Sequence, residues 1–477
     1  MTTQHRLWAS LFAWIPFSQT VCTTIGMATR QLILGQLPPL RHGSLTIHEL
    51  GASKLVLGGQ PITRETASSF ASSAKTARPS ENPQRPARAL DVELYIHSPS
   101  AWTRILFSND IGFAESYMLG EISCNDLPSF FRLMIFNSTT LTPSSNIFSK
   151  LANMVTSPLY CLSNTPSQAL LNAQRHYSLS NDLFAAFLDT TMTYSAPIWL
   201  PLSDPASAND TLESAQLRKL QYTITAARIQ ASDHVLEIGT GWGSFAIEAV
   251  ARTGCRVTTI TASSEQALLA RERIREAGFE SSIKVLVCDY RQVPIPPGGR
   301  YDKVVSIEMI EHVGAAYLDT YFGCVERYLK IDGGIAVFQV ITMPEGRYEG
   351  YKSRRDFIQR YIFPGGHLPT VSGLVASING ASNGRLVVED VKSVSGHYVR
   401  ALREWRKRFQ DISDEALEKA LKGTKSEMGK LEIGIFRRKW EYYFCYCEAG
   451  FATKTLGDMS ITVGREGAMG LLDDIPM

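Results

Sequence analysis

Glu237, Gly239, Thr240, Gly241 and Gly243 sit within the stretch Val235-Leu-Glu-Ile-Gly-Thr-Gly-Trp-Gly-Ser-Phe-Ala-Ile-Glu-Ala-Val250. An apolar run ends in an acid, three glycines follow at alternate positions, and an alanine-rich amphipathic pattern comes next. That order predicts a strand, a tight turn and a helix. Glycine lets the turn adopt positive φ and removes the Cβ that would hold a nucleotide off the backbone. The helix behind it aims free N–H groups at a ligand. The chemistry this arrangement serves is the binding of a group that carries adenosine.

The spacing discriminates among adenosine cofactors. A dinucleotide fingerprint wants Gly-x-Gly-x-x-Gly, with an acid about 20 residues further on for the ribose. Here Gly243 comes one position early and Ser244 stands where that fingerprint has glycine. The next strand, Arg256-Val-Thr-Thr-Ile260, runs into Thr261-Ala-Ser-Ser-Glu-Gln266 with no acid at its tip. Both features count against NAD and FAD. Gly-x-Gly-x-Gly preceded by an acid is instead the pattern of S-adenosylmethionine (SAM) methyltransferases. The alternative is a plain tight turn in a nucleotide-free α/β domain.

The flanking elements must hold that turn. A charged helical pattern covers 264–277, and Ile283-Lys-Val-Leu-Val-Cys288 is a strand ending at Asp289-Tyr290-Arg291. Tyr301 to Ile307 is another strand, running into Glu308-Met-Ile-Glu-His-Val-Gly314, and Gly333 to Ile341 is a fourth. Strands alternating with helices imply an α/β fold with a mostly parallel sheet and ligands at the carboxyl ends of its strands. Asp289, Tyr290, Glu311 and Gln339 are expected at or just past such ends.

Several further motifs, in order, resemble one family, the cyclopropane-fatty-acyl-phospholipid and mycolic acid cyclopropane synthases. They are Met192-Thr-Tyr-Ser-Ala-Pro-Ile-Trp199, the glycine turn, Thr261-x-Ser263-x-x-Gln266, Asp289-Tyr-Arg291 and Ser306-Ile-Glu-Met-Ile-Glu-His-Val-Gly314. Phe363-Pro-Gly-Gly-His-Leu-Pro369, His397-Tyr398 before Trp405, and Tyr442-Tyr-Phe-Cys-Tyr-Cys-Glu-Ala-Gly-Phe451 complete the set. Asp110-Ile-Gly-Phe-Ala-Glu-Ser-Tyr-Met-Leu-Gly120 looks like the family's longer form. The resemblance implies a Rossmann-like class I SAM-dependent methyltransferase domain preceded by a smaller α+β domain.

It also implies roles. Tyr194 and Ser195 would close over SAM, with Glu237, the glycine turn, Thr261, Ser263, Gln266, Asp289, Tyr290 and Arg291 lining the rest of its site. Glu311, Tyr398 and Cys447 match positions that surround the reacting double bond and hold a bicarbonate ion serving as base. Taken singly, Cys447 is an ordinary small core residue, Glu311 a helix cap and Tyr398 a core aromatic. Two positions depart from the pattern: Tyr-Ser-Cys is Tyr194-Ser195-Ala196 here, and a histidine common on the fourth strand is Gln339. Glutamine donates a hydrogen bond but carries no charge.

The implied activity is addition of a one-carbon unit to the double bond of an unsaturated phospholipid or fatty acyl chain. An isolated alkene is a poor nucleophile, so alignment with the methyl donor and exclusion of water do most of the work. Carboxylate and aromatic faces stabilise the cation that forms, and a base then takes a proton from the added methyl so that a cyclopropane closes. Glu311 is expected to organise that base, with Tyr398, Cys447 and Gln339 assisting. With Ala196 and Gln339 thinning the base site, a methyl-branched product stays open, as does a small hydrophobic metabolite as substrate. An inactive SAM- or lipid-binding scaffold is the non-enzymatic alternative.

At 477 residues and 44% hydrophobic content the chain can bury more than one core. The expected organisation is an amino-terminal segment over 1–40 and an α+β lipid-binding-like domain over 41–136 with a disordered insert at 66–88. A linker over 137–178, the methyltransferase domain over 179–465 and a tail over 466–477 follow. A net charge of +2 makes no case for nucleic acid. Leu7 to Thr29 carries no charge, but Pro16 and scattered Ser, Thr and Gln favour a membrane-surface helix over a span, and no signal-peptide cleavage pattern follows. Arg403-Glu-Trp-Arg-Lys-Arg408 reads as a solvated helix face or a contact for anionic headgroups. The eight scattered cysteines fit reduced thiols and no metal site. Cytoplasmic placement with peripheral membrane contact is therefore expected, and oligomeric assembly is compatible with the sequence.

Overall fold

A computed structural model gives the fold and describes residues 19–37, 39–49, 51, 53–58, 90–138, 180–421, 429–465 and 467–472. The insert expected at 66–88, almost all of the linker 137–178 and residues 7–18 lie outside the described residues. The chain divides into two compact units, Met1–Asn172 with Gly434–Tyr442, and Ala173–Ile433 with Tyr443–Met477.

In the first unit, helix α1 (Gln19–Gln36) precedes strands β1 (Ser44–Glu49), β2 (Leu55–Gly58) and β3 (Asp91–Ile96). Helix α2 (Ser100–Leu119), strand β4 (Ile122–Cys124) and helix α3 (Leu127–Phe136) follow. The strands order β2-β1-β3-β4, with β1 and β2 forming the hairpin that the pattern of Leu45 to Gly58 predicts and β1 parallel to β3. Residues 434–442 join this unit because their aromatic and polar side chains pack there. Tyr442 meets Phe131 edge-on at 5.0 Å between centroids, and Tyr117 donates to Glu441 at 2.9 Å. Among the described residues no helix is long and apolar enough to cross a membrane.

The second unit holds a seven-stranded sheet. Its helices are α4 (Asn181–Phe187), α5 (Leu212–Ala226), α6 (Ser244–Thr253), α7 (Ser264–Glu276), α8 (Leu318–Tyr328), α9 (Glu345–Lys352), α10 (Phe357–Tyr361), α11 (Val371–Ala381), α12 (Ser395–Gln410), α13 (Asp414–Leu421) and, apart from residues 434–442, α14 (Lys430–Ala452). Its strands are β5 (His234–Ile238), β6 (Arg256–Thr261), β7 (Ile283–Val287), β8 (Lys303–Ile307), β9 (Ile335–Thr342), β10 (Leu386–Ser393) and β11 (Gly457–Arg465). The order is β10-β11-β9-β8-β5-β6-β7; β5 to β9 run parallel and β11 is antiparallel to both neighbours. This is the expected α/β, Rossmann-like class I SAM-dependent methyltransferase fold.

Burial explains the sequence pattern. β5, β8 and β9 are covered on both faces, so their residues are apolar almost without a break. One face packs Ile238, Val304, Tyr321 and Phe338; the other packs Leu220, Phe245, Val305 and Val337. β5 lies between β6 and β8, so the chain winds outward from it in both directions and leaves a crevice at the strand tips.

Three expectations need correction. The sequence before the Tyr194 motif predicts a helix over 179–192, but the helix ends at Phe187: Asp189 accepts from the Thr191 N–H at 3.0 Å, and Met192 turns into the left-handed region at φ +57°. Gln339 is not at a strand end but inside β9, paired with Ile307 on one side and Ser460 on the other. The basic run on α12 is not simply solvated: Arg406 is 21% exposed with its Nη1 2.8 Å from Cys445 Sγ, and Arg408 donates to the Leu188 carbonyl at 2.9 Å.

Candidate active site

The glycine turn closes β5. Gly239 and Thr240 both donate to the Ile260 carbonyl, at 3.0 and 2.9 Å, which ties the turn to β6. Gly239, Gly241 and Gly243 take φ of +106°, +51° and +88°. A Cβ on Gly239 would press on Met309 at 3.3 Å, whereas one on Gly241 would point into open space. Glu237 is buried beneath the turn with Oε2 unpartnered, and burial pushes its carboxyl up to about 8. Open space over a glycine backbone, the start of α6 and an orphaned buried carboxyl oxygen together fit an adenosine cofactor that bears hydrogen-bond donors.

The other residues expected around that cofactor behave unequally. Thr261 donates to Gln266 Oε1 at 2.9 Å, and Ser263 caps α7 by accepting from the Gln266 N–H at 3.2 Å. Asp289 accepts from Arg291 Nε and Nη2, both at 2.7 Å, which holds its carboxyl below the usual range. The Tyr290 ring packs edge-on against Tyr321 at 5.2 Å. Asp289 and Arg291 thus satisfy each other at the rim.

The loop Tyr194-Ser195-Ala196 is held from behind by α5, whose buried face carries Ala215, Gln216, Lys219, Leu220 and Thr223 at helical spacing. Gln216 Nε2 donates to the Ser195 carbonyl at 2.8 Å, and Lys219 Nζ to Ser195 Oγ at 2.7 Å. Burial lowers the Lys219 ammonium to about 8 against the pull of Glu308, Asp458, Asp189 and Glu237. The Tyr194 hydroxyl meets that of Tyr443 at 2.7 Å, and its ring sits among Phe184, Phe187 and Trp405 at 5.2, 6.0 and 5.1 Å. Desolvation holds the Tyr194 phenol well above its ordinary range.

In front of that loop stands Glu308, the first residue past β8, in the left-handed region at φ +48°. Non-glycine residues held there are costly and gather at functional sites. Glu308 Oε1 accepts from the Ala196 N–H at 2.8 Å and from Gln339 Nε2 at 2.9 Å, and Oε2 accepts from the Tyr398 hydroxyl at 2.5 Å. Gln339 Nε2 also donates to Asp458 Oδ2 at 2.9 Å. Desolvation raises the carboxyls of both Glu308 and Asp458, while the Tyr398 hydroxyl, the Ala196 N–H and Lys219 hold Glu308 back.

Tyr398 and Gln339 therefore converge, but on Glu308. Glu311 stands three residues on, buried, with Oε1 accepting from the Ile341 N–H at 2.5 Å and Oε2 unpartnered. Burial, reinforced by the Glu308 charge, lifts its carboxyl to about 8. Cys447 is half-buried on α14 and desolvation keeps its thiol well above the ordinary range, so it stays protonated. Among the described residues no cluster of acids, histidines and cysteines is arranged to hold a metal.

Reasoning from the sequence missed Glu308, Asp458 and Lys219. Each carried a signal: a second acid beside Glu311, an acid opening an apolar strand, and a lysine on the apolar stripe of an amphipathic helix.

Comparison with known proteins identifies the family. The family model for mycolic acid cyclopropane synthetase matches residues 164–460. Tuberculostearic acid methyltransferase UfaA1 of Mycobacterium tuberculosis is 38% identical over 397 residues, 82% of this chain and 86% of that protein. Cyclopropane-fatty-acyl-phospholipid synthase of Escherichia coli K12 is 29% identical over 384 residues, 80% of this chain and 90% of that one. Among solved structures, cyclopropane synthase MmaA2 from Mycobacterium tuberculosis shares the fold, with a TM-score of 0.52 at 24% identity over 62% of this chain and 98% of that chain. The chain belongs to the mycolic acid cyclopropane synthetase family.

Proposed function

We propose that this protein transfers a one-carbon unit from SAM to the double bond of an unsaturated lipid acyl chain, and that the product is a methylene-branched chain. The observation that carries the reading is the half-buried Glu308 carboxylate gathered by the Ala196 N–H, Gln339 Nε2 and the Tyr398 hydroxyl, in the unit that bears the glycine turn.

Glu237, the 239–243 turn and the Tyr194-Ser195 loop would hold SAM, whose sulfonium supplies an electrophilic methyl that the alkene π pair takes as the sulfur–carbon bond breaks toward sulfur. The aromatic groups Tyr194, Tyr398, Trp405 and Tyr443 keep water out and present electron-rich faces to the cation left on the chain. A hydride shift moves that charge to the methylated carbon. Glu308 then takes a proton from the methyl group, and the released electron pair forms the C=CH₂ bond of the branch. A carboxylate with a raised pKa is suited to that transfer, because its affinity for the proton lies nearer the working pH.

Bicarbonate fits this site poorly. The Ala196 N–H, Gln339 amide and Tyr398 hydroxyl, donors that would receive such an anion, are already spent on Glu308. We assign its role to the protein's own carboxylate.

Ring closure is the second reading, supported by the family's description and by the E. coli relative. The greater identity to tuberculostearic acid methyltransferase favours the branch. Incubating the purified protein with SAM and vesicles of a monounsaturated phospholipid decides the matter. Mass spectrometry should show a gain of CH₂, and proton NMR should show the vinylidene (C=CH₂) signals of the branch. Cyclopropyl signals would replace the branch by the ring; no mass gain with any unsaturated lipid, SAM still binding, would reduce the chain to a scaffold.

A further inference from the structure

Glu237, Glu311 and Asp458 are buried in the second unit with Glu308 half-buried beside them, and the charges of Glu308, Asp458, Asp189 and Glu237 act on one buried ammonium, Lys219. One ammonium offsets one carboxylate, and a second unpaired buried charge would cost several kcal/mol. The hydrogen bonds say which acid keeps the charge. Glu308 receives three donors, one each from the Ala196 backbone, Gln339 and Tyr398. The Asp458 carboxyl receives only Gln339 Nε2, at 2.9 Å on Oδ2, and its Oδ1 is buried with no partner. The two carboxyls share one donor, Gln339 Nε2, which lies 2.9 Å from Glu308 Oε1 and 2.9 Å from Asp458 Oδ2 and so sets them side by side. Donors stabilise the ionised form, so charge settles on Glu308 and the proton on Asp458.

We propose that Asp458 is a positioning residue for Glu308: as a neutral acid on β11, bridged by Gln339, it gives a hydrogen bond to the Glu308 carboxylate and keeps that base ionised inside the protein. The proposal rests on the reading of Glu308 as the base. The groups that face the pair are Lys219 from α5, Glu311 from the turn after β8, Gln339 from β9 and Tyr398 from α12, with Tyr194 and Tyr443 beyond them. The Ser395 hydroxyl fixes the backbone at Asp458, accepting from its N–H at 2.8 Å and donating to its carbonyl at 3.2 Å.

Two measurements test this. Infrared difference spectra of the purified full chain, needing no substrate, should show a protonated-carboxyl carbonyl band that Asp458→Asn removes and Glu308→Gln leaves in place. The reverse pattern, or no band lost in either variant, overturns the proposal. In turnover, Asp458→Leu withdraws the donated hydrogen bond, so the acid limb of the kcat/KM profile should move up by about one pH unit, with activity at pH 7 down about tenfold. Asp458→Asn, which keeps an N–H donor, should restore most of that loss. An unmoved limb in Asp458→Leu, or an Asn variant as inactive as Glu308→Gln, overturns it too. A wild type with no lipid product would sink the alkylation reading while leaving the infrared result to stand or fall by itself.

Discussion

The Tyr398 hydroxyl donates to Glu308 Oε2 at 2.5 Å, joining the first turn of α12 to the residue just past β8. Tyr398 is buried and Glu308 half-buried, so the bond is little screened and the carboxylate loses its strongest donor if the hydroxyl goes. Tyr398→Phe should therefore raise the Glu308 pKa and move the acid limb of turnover to higher pH. At neutral pH kcat should fall about 10- to 100-fold, with SAM affinity within threefold. A pH–rate series on the variant checks this, and an unshifted limb would place the two residues in separate roles.

Glu308→Gln keeps the shape and removes the base. General-base loss costs about 10²- to 10⁴-fold, so turnover should fall in that range while calorimetry still finds SAM binding. Glu311→Gln should lose less than threefold at neutral pH, since burial lifts Glu311 to about 8 and an amide imitates the protonated acid. A Glu311 variant as inactive as the Glu308 variant would return the base to Glu311.

Gly241→Ala separates binding from folding. Its φ of +51° with open space beyond costs an alanine about 1–2 kcal/mol, so the melting temperature should drop only a few degrees. The new methyl would stand where the cofactor lies, and SAM affinity should weaken at least tenfold. Gly239→Ala, pressing on Met309 at 3.3 Å, should lose more stability. Equal SAM affinity in Gly241→Ala and wild type would move the cofactor off this turn.

Lys219→Met removes the Nζ that donates to Ser195 Oγ and the buried ammonium on which the charges of Glu308, Asp458 and Glu237 act. Losing a charged hydrogen bond worth about 1.5–3 kcal/mol should weaken SAM binding about tenfold or more and raise the Glu308 pKa further. Titration calorimetry at pH 7 reads the first effect; unchanged affinity would make Lys219 irrelevant to the Tyr194 loop.

Glu237 and Glu311 both titrate near 8 when folded, against an ordinary value of 4.5. A raised acid holds its proton in the folded state after the unfolded chain has lost it, so its contribution is complete below about 4.5 and drains away as pH rises toward 8. Between pH 6.5 and 8, above the ordinary histidine value, Glu237→Gln should gain melting temperature relative to wild type as pH rises. A difference that stays constant across that interval would show Glu237 already ionised in the fold.

Much of this protein follows from local rules. Alternating glycines after Glu237 need a turn of positive φ, and runs such as Val235–Ile238 and Ile335–Ile341 have the composition of strands buried on both faces. Those patterns are short-range, so the α/β fold, the glycine turn and the family were legible in the chain alone. The charged centre was not. Ala196, Lys219, Glu308, Gln339, Tyr398 and Asp458 lie far apart in sequence and meet only where β8, β9 and β11 pass α5 and α12. Whether an acid serves as base, proton store or bystander depends on burial and on how many donors reach it. The sequence singled out Glu311 and passed over Glu308 and Asp458; only the tertiary structure gives Glu308 three donors and Asp458 one, because those donors come from elements distant in the chain.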